Sequence, residues 1–600
     1  MKDYQVVKKV SPITWLIDIA FLTLFLAILF GSFLGSRPLM SPDEGRYVEI
    51  PREMVESGDY ITPHLDYLKY FEKPPLFYWM ETVPIKLFGL NEWALRLPSA
   101  CIALLGCLFV YITSRKLFDR RTGILSALVL ATSVLYFVLA HFITPDMTLT
   151  VLLSSSLLSF LVAVHEPRGW KRNCWLWAMY ALAALATLTK GLIGIIFPGL
   201  IIFLWLCLVN EWRQLLSYRL LSGLLLFLVI AVPWHVLVQQ RNPEFFQFYF
   251  IEQHFLRYFT SYAGRGQDLW FFPAVVLVGI FPWLCFLLAL LFSRKQPKPT
   301  TSFATISEEL EKSLSLSSNN GYTSTKKGKI RNNRIFTAIR HYWSIRKQHR
   351  TVIFLLVWVL AITVFFTFSQ SLLISYALPV IPPLAILIAR RLSLQWDKGD
   401  TAEIRLGFAL LLVVIVAISV IGLIAFKPSL QTAWHTSIIL LMVSALLATL
   451  LYWYGGIKAG IVGLIIGISL FLSTFSLTYA AVDVRSSKSI AMQLLPWLKP
   501  GDVVANYHEY YQDLPVYLQR RIMIANYTGE LEFGMEHQDT HTWTVDADNF
   551  WKLWGEPQRI FVLMGWFDYN HMLHLPKKHR PFLYLIGRTD RIFLLTNHPL

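Results

Sequence analysis

The sequence predicts an all-α polytopic membrane protein that ends in a small α/β domain. Of its 600 residues, 55% are hydrophobic and only 15% are charged, whereas soluble proteins contain roughly 25% charged residues. The apolar residues form long uninterrupted segments up to residue 480, and residues 481–600 instead alternate short β-rich runs with helical ones. Together these observations exclude a disordered, fibrous or purely soluble protein.

Thirteen segments have the composition of membrane-spanning helices, each of which needs about 20 mostly apolar residues. They are centred on residues 12–34, 98–114, 124–140, 148–164, 174–188, 192–209, 220–238, 269–292, 351–369, 376–390, 406–426, 436–454 and 459–480. An odd number of spans places the two ends of the chain on opposite sides of the membrane.

The distribution of charge predicts which loops face the cytoplasm. The net charge is +16, and the longest basic segment, Ser293–Arg350, holds 13 Lys and Arg against three Glu between two predicted spans. Because Lys and Arg in loops mark the cytoplasmic side, this segment and the lysine-bearing N-terminus are predicted to be cytoplasmic. The position of the basic residues in predicted cytoplasmic loops therefore explains the net positive charge, and no nucleic-acid partner is predicted.

The predicted organisation has two parts. Residues 1–480 form the transmembrane domain, and residues 481–600 form a C-terminal α/β domain on the outer side. Within the transmembrane domain, residues 35–97 and 239–268 are long outer loops and residues 293–350 are a cytoplasmic loop.

The two outer loops are predicted to place amphipathic helices at the membrane surface. In the first loop, Ser41, Pro42 and Glu44 have the spacing of a capping box with proline at the first helical position, and Gly58 ends the helix. The second loop carries nine aromatic residues, which suits headgroup depth.

Two isolated charges indicate a functional site. Asp146 and Lys190 are each the only charged residue of a long apolar stretch, and both lie at predicted outer hairpin tips. Since a charge in lipid costs about 2.5–3.5 kcal/mol or more, such residues usually face a cavity. The alternatives are that Asp146 caps the following helix and that Lys190 extends to the headgroups.

The strongest cluster of charges lies in the first outer loop. Asp43 and Arg46, spaced i and i+3, share one helix face, and Glu72 and Lys73 follow further along the loop. The alternative is a solvated face with ordinary ion pairs. That alternative is accepted for the other acidic residues of this helix, Glu49, Glu53 and Glu56.

Three motifs of this loop occur in a specific order. They are Asp43-Glu44-Gly45-Arg46-Tyr47, Gly58-Asp59-Tyr60-Ile61-Thr62-Pro63 and Tyr70-Phe71-Glu72-Lys73-Pro74-Pro75-Leu76-Phe77-Tyr78-Trp79. This order resembles the first extracytoplasmic loop of bacterial polyprenyl-phosphate-sugar-dependent glycosyltransferases, in particular the lipid A 4-amino-4-deoxy-L-arabinose transferases, which are related to protein O-mannosyltransferases. Weaker matches are Thr144-Pro145-Asp146, Thr189-Lys190-Gly191 and Leu378-Pro379 with Pro382-Pro383-Leu384-Ala385.

The resemblance implies a GT-C fold in the bacterial inner membrane, with a periplasmic C-terminal domain. The implied donor is a sugar on undecaprenyl phosphate, for instance 4-amino-4-deoxy-L-arabinose, and the implied acceptor is lipid A of lipopolysaccharide or another envelope glycan. Asp43 and Asp146 are then the expected catalytic residues. The expected substrate-binding residues are Arg46, Tyr47, Lys73, Tyr78, Lys190 and Arg257.

These roles follow from the chemistry of the reaction. The leaving group is a phosphate monoester, so cations must stabilise its growing negative charge. A hydroxyl acceptor needs a base, for which Asp43 is the candidate. A lipid A phosphate is already anionic and needs no base, so Asp43 would then orient the sugar.

Glu72 and His254 are the candidate ligands of a divalent metal. Both lie in outer loops, and the resemblance makes the pair plausible. Two ligands from separate loops are few for a metal site, and hydrogen bonding within the loop is the alternative. No other cofactor is predicted.

One stretch departs from the family pattern, because Gln370, Leu372 and Ile374 stand where lysines and an extra proline are expected. The reaction class is unaffected, whereas the donor sugar and the acceptor stay open. A protein or polysaccharide acceptor is the first alternative. A transporter of the lipid-linked sugar is the second, disfavoured because the sequence shows no internal repeat and its charges cluster at the outer face.

Overall fold

A computed structural model describes residues 12–256, 266–292, 346–399, 401–425, 431–480, 485–575 and 581–599. Before residue 481 its helices are α1 (Pro12–Gly31), α2 (Asp43–Ser57), α3 (Leu76–Phe88), α4 (Glu92–Leu117), α5 (Arg120–Ala131), α6 (Val134–Ala140), α7 (Pro145–His165), α8 (Trp170–Lys190), α9 (Ile193–Val209) and α10 (Leu220–Arg241), then Phe271–Gly279, Leu284–Phe292, Arg350–Thr367, Ile381–Gln395, Ala402–Ala425 and Gln431–Ala480. Short 3-10 helices lie at Trp212–Tyr218 and Ile374–Val380, a π-helix at Gln247–Leu256, and a hairpin of β1 (His64–Leu65) and β2 (Leu68–Lys69) in the first outer loop.

Eight helices of the described ranges are long and apolar enough to cross a membrane, or nine if α5 and α6, bent by 66°, form one span. Apolar side chains such as Leu24 (65% exposed) and Leu221 (87% exposed) face outward from α1 and α10, as expected of lipid-facing positions. The chain is therefore a multi-pass membrane protein.

The remaining predicted spans are helical but differ in length or polarity. The segment 269–292 consists of two short helices, and α9 has only 17 residues. The helix Gln431–Ala480 breaks at Gly456, whose φ of 75° favours glycine, between the two predicted spans 436–454 and 459–480. The count of thirteen spans stays a prediction.

Basic residues of several predicted cytoplasmic loops meet at one end of the bundle. Asp18 of α1 accepts hydrogen bonds from Arg115 at 2.7 Å and from Arg120 at 2.6 Å. Asp119 accepts one from Arg390 at 2.6 Å. The loops predicted to share a side therefore do lie together, while the orientation of that side stays a prediction.

The C-terminal domain is an α/β domain with a six-stranded sheet, as predicted. The strands are β3 (Val503–Tyr507), β4 (Met523–Ala525), β5 (Thr544–Val545), β6 (Ile560–Gly565), β7 (Tyr584–Arg588) and β8 (Ile592–Thr596). Their spatial order is β5-β4-β3-β6-β8-β7, with β3 to β6 parallel and β7 and β8 antiparallel to their neighbours. The helices are Lys488–Leu494, Leu514–Leu518, Glu532–His537, Ala547–Trp554 and Trp566–His574, with 3-10 turns at Leu495–Trp497 and Gly529–Leu531.

Helix α2 is enclosed by protein, which differs from the predicted amphipathic surface helix. Val48, Ile50 and Met54 are at most 1% exposed and share one hydrophobic core with Val504 and Phe561 of the C-terminal sheet. Burying each such side chain contributes about 1.5–3 kcal/mol. The sheet therefore covers the face of α2 that was expected to meet solvent, whereas α3 remains amphipathic, with Leu87 69% exposed and Phe77 buried.

The start of α2 also differs from the predicted capping box. The helix begins at Asp43 with Pro42 as its N-cap, and no side chain caps it. The Ser41 hydroxyl donates instead to Asp513 of the C-terminal domain, with an Oγ–Oδ1 distance of 2.6 Å. Tertiary contacts therefore take the side chain that the local pattern assigned to the cap. Gly58, with a φ of 74°, ends the helix as predicted.

Candidate active site

Glu44 fixes the first turn of α2 to the helical bundle. Its fully buried carboxylate accepts hydrogen bonds from Arg37 at 2.9 Å and from Arg96 at 2.9 and 3.0 Å. Burial raises the pKa of Glu44, but the guanidinium groups of Arg96 and Arg37 outweigh it and hold the pKa at about 2. The side chain of the adjacent Asp43 is 52% exposed.

Asp43 is therefore presented as an accessible carboxylate at the start of the helix. Its contact with Arg46, one turn later, is loose, with Oδ1 3.9 Å from Nη1. This geometry confirms the predicted shared face and leaves Asp43 open to a substrate.

Tyr47 links the two predicted catalytic carboxylates. Its ring packs edge-on against Phe77 at 5.8 Å and stacks on Tyr78 at 6.2 Å. Burial raises the pKa of Tyr47 well above its usual value, and the charges of both Asp43 and Asp146 act on the same phenol. Asp43 and Asp146 thus both lie close enough to act on this phenol, although they come from different helices.

Asp146 and Lys190 form a buried ion pair at one end of the bundle. Asp146 lies in the first turn of the largely buried helix α7, and Lys190 is the last residue of α8. Lys190 Nζ donates to Asp146 Oδ1, and both side chains are at most 10% exposed. The ammonium also lies 4.5 Å from the ring centroid of Tyr376. Each charge is favoured by the dipole of its own helix.

Glu72 and Lys73 follow β2 and precede α3. Lys73 Nζ donates to the Glu72 carbonyl at 2.8 Å and lies 3.8 Å from its carboxylate. The charge of Glu72 also acts on the guanidinium of Arg46. The site thus combines carboxylates and cations from the first loop with the ion pair between α7 and α8.

The outer loops support this site by packing on one another. Lys69 pairs with Glu244 at 2.7 Å, and Trp234 donates to the Ile61 carbonyl at 3.0 Å. Phe71 contacts the ring of Phe245 with centroids 5.3 Å apart. The two predicted outer loops therefore form one assembly.

Two predicted site residues cannot be placed. Arg257 lies outside the described residues. His254 belongs to the π-helix Gln247–Leu256, but its side chain is outside the described part. Within the described ranges, no group of three or more His, Cys, Asp and Glu side chains could hold a metal ion. The Glu72 carboxylate lies 3.8 Å from Lys73 Nζ, and the Glu72/His254 metal stays a prediction.

Three contacts of the candidate site were not predicted from the sequence. Arg96, a lone cation at the start of an apolar helix, was a usable signal for the Glu44 cluster. Tyr376 lies in the stretch that departs from the family pattern, which places that departure beside Lys190. Glu530 of the C-terminal domain pairs with Arg46, and no sequence pattern connects these two residues.

Two family models match separate parts of the chain. The model of dolichyl-phosphate-mannose-protein mannosyltransferases matches residues 72–236, which include Asp146 and Lys190. The model of the aminoarabinose transferase C-terminal domain matches residues 490–596, which include the whole C-terminal sheet.

Curated relatives are similar over different lengths. The undecaprenyl phosphate-alpha-4-amino-4-deoxy-L-arabinose arabinosyl transferase 2 of Sodalis glossinidius is 28% identical over 358 residues, which are 60% of this chain and 56% of the relative. The transferase of the same name from Proteus mirabilis is 24% identical over 578 residues, 93% of this chain and 94% of the relative. The chain thus aligns with little more than half of the first relative and nearly all of the second.

A solved structure matches from end to end. The crystal structure of ArnT from Cupriavidus metallidurans bound to undecaprenyl phosphate is 27% identical, with a TM-score of 0.76 over 98% of this chain and 99% of that chain. Its apo state gives a TM-score of 0.75. The helical bundle and the C-terminal domain together therefore have the architecture of that protein.

Proposed function

We propose that this chain, a glycosyltransferase of the GT-C fold related to the aminoarabinose transferases and protein mannosyltransferases, transfers a sugar from undecaprenyl phosphate to lipid A or a related envelope acceptor. The observation that carries the proposal is the likeness, over 98% of the chain, to a transferase solved with undecaprenyl phosphate. The transferred sugar is proposed to be 4-amino-4-deoxy-L-arabinose, which the names of the relatives contain.

The cations of the site suit the leaving group. Transfer breaks the bond between the anomeric carbon and the phosphate oxygen, and undecaprenyl phosphate leaves with added negative charge. Lys190 is buried and Lys73 is only 14% exposed, so each acts in surroundings where a fixed charge stabilises a transition state more than it would in water. Arg257 is proposed as a third cation, since arginine can donate two hydrogen bonds to one phosphate.

Asp43 is proposed as the group that acts on the acceptor or the sugar. Its half-exposed carboxylate has one loose ionic contact, so it can take a proton from an acceptor hydroxyl. With a phosphate acceptor no base is needed, and Asp43 would orient the sugar. Asp146 is proposed to hold Lys190 in place beside the reacting phosphate.

The reaction is proposed to take place on the periplasmic side of the inner membrane. Arg46 of the first loop pairs with Glu530 of the C-terminal domain, and Lys190 pairs with Asp146 between α7 and α8. The basic residues Arg115 and Arg120 pair separately with Asp18. Fusions of a periplasm-dependent reporter enzyme to the C-terminus and to the 293–350 loop test the orientation. Activity is expected only in the first fusion.

The acceptor and donor are tested by mass spectrometry of lipid A and other envelope glycans. A deletion strain is complemented with the wild type, with Asp43→Asn or with an empty vector. Lipid A heavier by one amino pentose is expected only with the wild type. The same mass on a protein or polysaccharide would instead establish the alternative acceptor, which the departure around Tyr376 keeps open. Movement of the lipid-linked sugar from one side of the membrane to the other, without any glycosylated product, would establish a transporter.

A divalent metal at Glu72 and His254 is a separate proposal. Purified protein is dialysed against a chelator and tested for transfer, with added Mg²⁺, Mn²⁺ or Zn²⁺ as the rescue. Transfer that survives complete metal removal would exclude a catalytic metal. Loss and rescue in the wild type, without rescue in Glu72→Gln, would support one.

A further inference from the structure

Two neighbouring helices, α8 and α10, begin side by side. Arg219, the residue before α10, donates a hydrogen bond from Nε to Oδ1 of Asn173 near the start of α8, at 3.2 Å. Helix α8 runs from Trp170 to Lys190, which at 1.5 Å per residue is about 30 Å. The two helix starts therefore lie far from the Lys190 end of α8, where the candidate active site is.

Neither of these helix starts is capped by a side chain. Helices α8 and α10 also have no acidic residue in their first turns. The first N–H groups of a helix have no partner within the helix, and the helix dipole places partial positive charge there. In α5, by contrast, Asp119 accepts a hydrogen bond from the Thr122 amide at 2.8 Å. The paired starts of α8 and α10 are therefore attractive to an anion.

The side chain of Arg172 is an independent indication of a ligand. It lies in the first turn of α8 and is 6% exposed, and its Nη2 donates to Ser217 Oγ at 2.9 Å. Its guanidinium lies 5.5 Å from the ring centroid of Tyr218, which is 2% exposed. Arg172 Nε and Tyr218 Oη are both buried and have no hydrogen-bond partner among the described residues. Since buried polar atoms are nearly always hydrogen-bonded, an external molecule with several acceptor oxygens would satisfy both.

The charges around Arg172 also favour an anion. Arg168 and Arg219 are exposed and lie close enough for their charges to act on Arg172. The charge of Glu211 acts on it as well, and Glu211 Oε2 is buried without a partner among the described residues. Three arginines outnumber this carboxylate, so positive charge remains in excess.

The surface around this cluster has the character of a lipid-facing boundary. Trp170 is 71% exposed and Trp212 is 39% exposed, and tryptophan is enriched at the depth of the lipid headgroups. Leu216 and Leu221 are each 87% exposed, as expected of side chains in contact with acyl chains. A molecule that suits this place has an anionic head and apolar tails, whereas free phosphate has only the first.

We propose that the starts of α8 and α10, together with Arg168, Arg172 and Arg219, bind the phosphate headgroup of an anionic phospholipid. Basic residues at a membrane surface attract such lipids. The site goes beyond the proposed transfer reaction, because it lies at the other end of α8 from Lys190 and requires no sugar. The competing explanation is that these arginines are ordinary loop residues and that water satisfies the buried atoms. The segment 293–350 suits the site poorly, since its own net charge is positive.

The experiment measures lipid binding by the full-length protein in a neutral detergent. The protein is titrated with dioctanoyl phosphatidylglycerol, with dioctanoyl phosphatidylcholine and with inorganic phosphate. Bound lipid is counted by native mass spectrometry, and the unfolding temperature is followed in parallel. The variants are Arg168→Gln/Arg219→Gln, at two exposed residues, and Tyr218→Phe, which removes only a hydroxyl without a described partner. The matched control is Arg121→Gln/Lys398→Gln, which removes two exposed cations beside the capped start of α5.

The expected result is one tightly bound phosphatidylglycerol that raises the unfolding temperature of the wild type, because a ligand of the folded state stabilises it. Phosphatidylcholine and inorganic phosphate should bind much more weakly. The double arginine variant should bind phosphatidylglycerol about 25-fold more weakly, roughly fivefold for each cation. Tyr218→Phe should lose about fivefold, the effect of one hydrogen bond. The control should bind as the wild type does.

Three results would overturn the proposal. Equal binding of phosphatidylglycerol and phosphatidylcholine would show that the headgroup charge is not recognised. Equal affinity for inorganic phosphate would show an anion site that does not select a lipid. Equal losses in the double arginine variant and in the control would show that only the overall charge attracts the lipid. None of these measurements uses sugar transfer, so failure of the proposed function would leave the lipid result unchanged, and the reverse also holds.

Discussion

Asp146 and Lys190, 44 residues apart in the chain, form one buried ion pair whose ammonium faces the ring of Tyr376. The pair joins the first turn of α7 to the last turn of α8. The charges of Asp146 and of Asp43 both act on the phenol of Tyr47. A cation held this way is shielded from water, positioned before substrate arrives and available to a phosphate, which is the arrangement that electrostatic catalysis requires.

Lys190→Met should destabilise the protein and abolish transfer. Asp146 would be left buried without its partner, which costs about 3–5 kcal/mol. The double variant Asp146→Leu/Lys190→Met should recover stability but no activity, because an apolar pair can replace an ion pair in packing but not in binding phosphate. Thermal unfolding and transfer rate are measured on both.

The matched control is Lys116→Met, which removes a more exposed lysine whose partner Glu166 lies 3.5 Å away. Its effect should stay below about 1 kcal/mol. A double variant as active as the wild type would show that Lys190 is only structural.

Asp43→Asn should lower transfer by about 10²- to 10⁴-fold if the acceptor is a hydroxyl, the usual range for a general base. Its stability should change by less than about 0.5 kcal/mol, because a half-exposed residue with one loose contact contributes little. Initial transfer rates and thermal unfolding are measured together. Glu56→Gln is the control, since Glu56 lies on the same helix and is also 52% exposed. Equal rates for the two variants would remove Asp43 from the mechanism.

Asp66→Asn should remove a pH dependence of stability. Burial raises the pKa of Asp66 to about 8, although its carboxylate accepts a hydrogen bond from the Ile522 amide at 3.0 Å. The folded protein therefore keeps a proton that the unfolded chain releases above about pH 4. Stability should then fall as the pH rises from about 4 to 8.

The asparagine variant keeps the hydrogen-bond acceptor and tolerates the φ of 53° at this position. It should be more stable than the wild type at pH 8 by up to a few kcal/mol, at about 1.4 kcal/mol per pKa unit. Unfolding is measured at pH 5 and pH 8. Asp539→Asn, at a residue 76% exposed, should show no such change. A wild type equally stable at both pH values would contradict the prediction.

Glu44→Gln should remove a pH dependence of stability that has the opposite sign, because the contribution of Glu44 is lost at acid pH. The pKa of Glu44 is depressed to about 2, so its contribution is present above about pH 4.5 and is lost as the pH falls toward 2. The variant should be less stable at neutral pH by about 3–5 kcal/mol, because Arg37 and Arg96 lose their shared partner. Acid unfolding between pH 2 and 6 is the measurement. A variant with the wild-type midpoint and slope would show that the cluster does not hold α2.

Much of the architecture was predictable because it depends on local composition. Apolar segments near the length of a bilayer form helices, since no other local structure satisfies the backbone there. Short β-rich runs of the last 120 residues overlap strands β3, β4, β6, β7 and β8 of the C-terminal sheet. Asp146 and Lys190 stood out because an isolated charge in an apolar stretch is costly. Gly58 ends α2 because it adopts a positive φ.

Other features depended on contacts between distant segments. The Ser41 hydroxyl, expected to cap α2, donates a hydrogen bond to Asp513 of the C-terminal domain. Glu49 and Glu53 were expected on a solvated face and are buried, because the C-terminal sheet covers α2. Nothing near Arg46 in the chain indicated that its partner would be Glu530.

Composition, charge and motif order by themselves determined that this chain is a multi-pass membrane protein, which outer-loop residues carry charge, and which enzyme family they resemble. Only the tertiary structure decided which charges share a site and that the C-terminal domain closes over it. The physical reason is the separation along the chain of the residues that each feature depends on. Hydropathy and helix endings are set within a few turns of the chain, whereas the pairing of buried charges depends on which surfaces meet when the bundle and the sheet pack together.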